Sequence, residues 1–136
     1  MVWITAVIGV LLAGPLEGTW KIREPLQFEA YGELCEVRRG VAYLRQDGSG
    51  VTGSYEAEFS CWSPFSPETI WQPRRGQLIG TMEQGRLSAK VLVGDPFPIT
   101  LEATLDGGRL LGTFGLGDSV LGEWSAARLP TRRVMP

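Results

Sequence analysis

The chain has 136 residues, 13 lysines and arginines against 15 aspartates and glutamates, a formal charge of −2 and no histidine. That length predicts one domain with a core of its own, and the slight acidic excess argues against a general nucleic-acid binder. The missing histidine removes the commonest general base, the commonest metal ligand and the usual pH switch.

Val2 to Ala13 is an apolar run without charge, ended by Gly14-Pro15. It is shorter than the roughly 20 residues that a bilayer span needs, so no transmembrane span is expected. Its length fits the apolar region of a secretory signal peptide, with Ala13 or Gly18 just before the cut. No lysine or arginine precedes it, and its β-branched residues also suit a buried first strand. The expected organisation is a signal-peptide-like segment at 1–17, a β domain at 18–129 and a flexible tail at 130–136. A secreted, periplasmic or cell-envelope location goes with it.

From Gly18 onward, alternation with period two dominates. Trp20 and Ile22 alternate with Thr19, Lys21 and Arg23. Cys35 and Cys61 are the only cysteines. In an exported domain they read as one disulfide, closing a loop of about 25 residues and contributing on the order of 3 kcal/mol. In a cytosolic chain they would read as two buried thiols. A two-cysteine metal site lacks further ligands of the usual kind, so no metal and no cofactor are expected.

Gly48-Ser49-Gly50-Val51-Thr52-Gly53 spells a dinucleotide-type glycine pattern, but a strand follows it where that fingerprint needs a helix. Tyr55, Ala57, Phe59 and Cys61 share one strand face, opposite Glu56 and Glu58. Those two carboxylates read as a solvated outer face, whereas a glycosidase needs its pair across a cleft. Cys61 to Arg75 then interrupts the strand pattern for longer than a hairpin requires. It holds Trp62, Phe65 and Trp71 among three prolines and ends on Arg74-Arg75. Such loops tend to carry function. Its aromatics form a lid over a barrel mouth, a partner-binding patch, or an apolar plug closing one barrel end, and a short helix fits within 64–71. The arginine pairs at 38–39, 74–75 and 132–133 suit anions or plain surface charge.

Leu78 to Leu87 and Leu101 to Leu110 echo each other as hairpins 23 residues apart. Leu87, Ala89, Val91 and Val93 share one face, as do Ile99, Leu101, Ala103 and Leu105. Asp47-Gly48, Gln84-Gly85 and Asp106-Gly107-Gly108 supply turn residues that accept positive φ. Gly117-Asp118-Ser119 looks like a nucleophile motif, but without histidine it reads as a turn. Val120, Gly122, Trp124, Ala126 and Arg128 fall on one side of the last strand. Short half-apolar strands joined by tight turns imply sequential antiparallel neighbours that bury one face together. The expectation is all-β: a single antiparallel up-and-down meander barrel of about eight strands, whose closure removes exposed edges.

The two ends of this domain resemble the calycin-type barrels, meaning lipocalins, avidins and their bacterial relatives. Gly18-Thr19-Trp20 opens the first strand and Gly122 to Arg128 closes the last. The resemblance implies that Trp20 lies across the closed barrel end against Arg128. It also implies a habit of binding rather than catalysis. The motifs lie at the ends alone, and no polar set matches the biotin contacts of the avidins.

The leading expectation is therefore a non-enzymatic, extracytoplasmic, lipocalin-like protein for a small apolar or amphipathic ligand. The alternative is a cell-envelope interaction or inhibitor module with a filled barrel and a contact loop at 61–75. Candidate contact residues are Tyr55, Trp62, Phe65, Trp71, Arg74 and Arg75. Inward Ala57, Ala89, Ala103 and Gly112 either leave room inside or let Phe114 and Trp124 fill it.

Overall fold

Apolar side chains at alternate positions drive this chain into strands that must hide one face, and they do so by rolling shut. The computed structural model describes residues 14–30, 32–62, 70–92, 99–117 and 119–130. Among these there are nine strands and no helix. They are β1 (Gly18–Ile22), β2 (Leu26–Ala30), β3 (Glu33–Asp47), β4 (Gly50–Trp62), β5 (Gln72–Glu83), β6 (Arg86–Leu92), β7 (Ile99–Asp106), β8 (Arg109–Leu116) and β9 (Ser119–Arg128). From β2 to β9 each strand pairs antiparallel with its sequence neighbour, and β1 closes the ring by pairing with both β9 and β3.

β1 and β2 lie end to end along β3. Gly18 to Lys21 face Leu44 to Val41, and Leu26 to Ala30 face Val37 to Glu33. They form one interrupted stave, so the closed up-and-down meander has eight staves. The interruption has a local cause. β3 carries a bulge in which Arg39 and Gly40 together oppose a single residue of β4, and Arg39 takes a positive φ of 54°. Glu24, in the break between β1 and β2, accepts the Arg39 backbone N–H through its carboxylate. Gly40 is needed for close approach: a Cβ there would come within 2.8 Å of Ile22.

The break also opens a seam. β1 ladders with β9 through Trp20↔Arg128 and Ile22↔Ala126, and Arg23 N–H still donates to Ser125 C=O at 2.9 Å. Beyond that point β2 lies beside the first half of β9 without a ladder between them. The Phe28 ring of β2 packs edge-on against Phe114 of β8, with centroids 5.3 Å apart. A second bulge inserts Leu121 into β9, since Phe114 faces Gly122 and Gly115 faces Val120. It corrects the expected face of Val120: unbroken alternation groups it with Gly122 and Trp124, whereas the bulge turns it out to solvent.

One barrel end is tied shut. The β3–β4, β5–β6 and β7–β8 turns interlock around the ring through Met82 N–H to Ser49 C=O, Leu105 N–H to Gly85 C=O and Arg128 N–H to Gly108 C=O, each at 2.8 Å. Residues 14–17 plug the middle. Leu16 is wholly buried, and the Trp20 indole N–H donates to its carbonyl at 2.9 Å. The Arg128 guanidinium lies 4.8 Å from the Trp20 ring centre and donates to the carbonyls of Glu17 and Pro15. Residues 14–17, assigned above to the leading segment, pack against this end of the barrel.

Candidate functional site

The inner face of the barrel is almost purely apolar, and it is not filled. A cavity of about 100 Å³ lies in the interior. Its walls come from every stave. Its lining includes the small side chains Ala42, Ala57 and Ala126 beside the large rings of Trp20, Phe114 and Trp124. Single water molecules need a far smaller space and several polar partners. This hollow offers apolar walls, so its physical preference is for hydrocarbon.

Tyr55 contributes its ring to the wall, with its hydroxyl oxygen buried. Alternation along β4 points Val51, Tyr55 and Ala57 inward, and Tyr55 is 6% exposed. Its hydroxyl has no hydrogen-bond partner among the described residues. Burial pushes the phenol above its ordinary value of 10.0, and the positive charge of Arg74 pulls it part of the way back. Arg74 lies across the β4–β5 ladder from Ala57. It occupies the inner side of β5 near the open end, its guanidinium 5.7 Å from the Phe59 ring centre. Tyr55, Arg74 and the apolar wall thus form one neighbourhood.

The remaining candidate residues lie elsewhere. Arg75 points outward, 4.0 Å from Glu56. Trp71 lies on the outer surface over the Arg38 guanidinium, 3.8 Å from its ring centre, rather than across the barrel mouth. Trp62 is 48% exposed, opposite Leu34 in the β3–β4 ladder, which is 52% exposed. Phe65 and residues 64–69 of the helix expected within 64–71 fall outside the described residues, and Ile70 and Trp71 are not helical. Cys35 and Cys61 face each other across β3 and β4 and are joined by a disulfide. Glu58 is no idle surface carboxylate: it bridges Arg38 at 3.2 Å and Arg39 at 3.0 Å, pinning the bulge region.

Sequence reasoning passed over the walls supplied by β2 and β3. Leu26, Phe28 and Val37 all line the cavity. The signal was present as apolar residues two apart at 26 and 28 and at 35 and 37, but intervening charges and the bulge shorten the run. Leu16 was missed because it stands in the leading segment. On the outside of the seam, Arg23, Glu24, Leu111, Thr113 and Glu123 border a second, open groove of mixed polarity. No helix among the described residues is long and apolar enough to cross a membrane.

No family model and no curated protein matches the chain. Among solved structures it is similar to a REP1-NXSQ fatty acid transporter, at 11% identity and a TM-score of 0.46, covering 86% of this chain and 98% of that one. It is similar to a secretary abundant heat soluble (SAHS) protein from Ramazzottius varieornatus at 16% identity, with a TM-score of 0.39 and coverage of 84% and 95%. The fluorescent protein UnaG matches at 14% identity and a TM-score of 0.39, with coverage of 83% and 95%.

Proposed function

We propose that this protein is a non-enzymatic carrier or receptor that works outside the cytoplasm and holds a small apolar or amphipathic molecule inside its barrel. The observation that carries the reading is the unfilled apolar interior. A barrel of this size whose only task were stability gains by packing that space with side chains. Here alanines stand at positions 42, 57 and 126 of its wall instead. The Cys35–Cys61 disulfide supports the extracytoplasmic part, since such bonds persist in oxidising compartments. The described lining offers a phenol and two indoles but no acid–base pair, which supports binding over turnover.

Native mass spectrometry of protein purified from its own host tests this. A retained small molecule, lost on unfolding, is the expected result. Protein that emerges empty and fails to take up an apolar fluorescent probe would overturn the reading.

A second reading has one observation in its favour. Trp62 and Leu34 make an exposed apolar pair beside the disulfide, as an envelope interaction module requires. Loss of partner capture by Trp62→Ala, with probe uptake intact, separates it from the first.

A further inference from the structure

One join in the barrel wall has no ladder, and the chain disables it from both sides. Among the described residues every other pair of neighbouring staves is held by cross-strand backbone bonds, whereas β2 runs beside the first half of β9 with none. Pro25, just ahead of β2, has no N–H to offer. On the facing edge the bulge at Leu121 breaks the spacing of β9. The Phe28–Phe114 ring contact keeps β2 against that side of the barrel, so the seam is closed by side chains alone.

Inside and outside come closest at this seam. Leu26 and Trp124 line the interior cavity and also border the outer groove, and no other described residue does both. Trp124 is partly buried, and its indole N–H donates to Thr113 C=O at 3.0 Å. That bond latches the ring to β8. Arg23, Glu24 and Glu123 put charge around the groove and keep its outer lip in water.

We infer that the β2–β9 seam is the doorway through which the ligand enters and leaves the barrel, and that Trp124 is its gate. Passing a molecule through a laddered join breaks several backbone bonds together. At the seam the wall parts when the Trp124 indole leaves Thr113 and swings away from Leu26, which is a local opening rather than an unfolding. The outer groove receives the arriving molecule before its apolar part passes between the two side chains. This assignment rests on the ligand-binding reading above and adds the route.

The test is stopped-flow uptake and release of the apolar dye N-phenyl-1-naphthylamine, with wild type, Trp124→Phe, Leu111→Trp and Leu92→Trp. Trp124→Phe keeps a ring in the wall and removes the latching N–H. Association and dissociation should both quicken about tenfold, the effect of one hydrogen bond removed from the opening step, with Kd changed less than about threefold. Leu111 is half exposed, borders the groove and does not line the cavity. Leu111→Trp therefore narrows the doorway from outside and should slow both rates by the same factor, leaving Kd unchanged. Leu92→Trp adds the same bulk at the open rim, where Leu92 is exposed, and should leave both rates as they are. Rates unchanged in Trp124→Phe and Leu111→Trp, or altered by Leu92→Trp alone, overturn the doorway while the hollow-barrel reading stands. Failure of wild type to take up the dye overturns both.

Discussion

The two ends of this barrel are built on opposite principles. At one end three tight turns bond to the strands beyond them, Leu16 fills the middle, and Trp20 and Arg128 are locked to the carbonyls of residues 15–17. At the other end the β4–β5 and β6–β7 connections are longer, β2 has no ladder with β9, and Ala57, Tyr55 and Arg74 stand among the inward side chains. The contrast teaches how a small meander barrel stays folded while remaining hollow. The turns interlock at the tied end, while the cavity keeps its space from Trp20 and Leu110 at that end to Phe28 and Phe59 at the other. The disulfide lies on the open side of that division and fastens β3 to β4, where two consecutive residue pairs, Leu34↔Trp62 and Cys35↔Cys61, end the ladder.

The contrast breaks first at the plug. Trp20→Ala should destabilise the protein by about 3–5 kcal/mol in urea unfolding, the range for truncating a large buried aromatic. A cost near zero would mean that the tied end is not where stability resides. Joint replacement of Cys35 and Cys61 by serine should cost about 3 kcal/mol through the freed loop, with probe uptake surviving below the new midpoint. Ala57→Leu sharpens the comparison. In a filled core such enlargement costs about 1–3 kcal/mol, whereas in a hollow it should cost less than ~1 kcal/mol while abolishing ligand uptake. Tyr55→Phe should stabilise the empty protein by about 1 kcal/mol, because it removes a buried group that has no partner. The smallest effect is in pH. Tyr55 has a folded pKa raised above its unfolded value by burial, partly offset by Arg74. The stability of its neutral form is therefore fully present below about pH 10 and lost as pH rises through the folded value. Urea midpoints from pH 8 to 11 should fall more steeply for wild type than for Tyr55→Phe.

Much of this was legible in the residues. Period two gave β4, β6 and β7 their faces, and Asp-Gly and Gln-Gly marked three hairpins. The pairing of the only two cysteines also emerged from the sequence, through the exported-domain reading. Three things were not legible, each for a physical reason. Bulges at Arg39-Gly40 and Leu121 shift the side-chain phase, and alternation cannot announce its own interruption. Leu16 stands in an apolar leading run, and nothing in its spacing announces that Gln46 accepts its N–H, that Trp20 donates to its carbonyl and that Arg128 donates to the carbonyl of Pro15. For Trp71 the residues left lid, partner-binding patch and plug open, and its place over Arg38 on the outside is a contact set by tertiary geometry. For the candidate site, Tyr55 and Arg74 were named, but their convergence on one wall depends on β4–β5 register, which spacing alone does not give.

The central claim is that the open half of the barrel is a ligand site and the tied half is its foundation. Backbone and side-chain NMR shifts of the isotopically labelled protein, followed during titration with octanoate, test it most directly. The account predicts saturable shifts concentrated at Tyr55, Ala57, Phe59, Arg74 and Val91, with Leu16 and the turns at 47–50 and 106–109 unmoved. Shifts confined to the exterior around Trp62 and Leu34, or an unchanged spectrum at saturating octanoate, would contradict it.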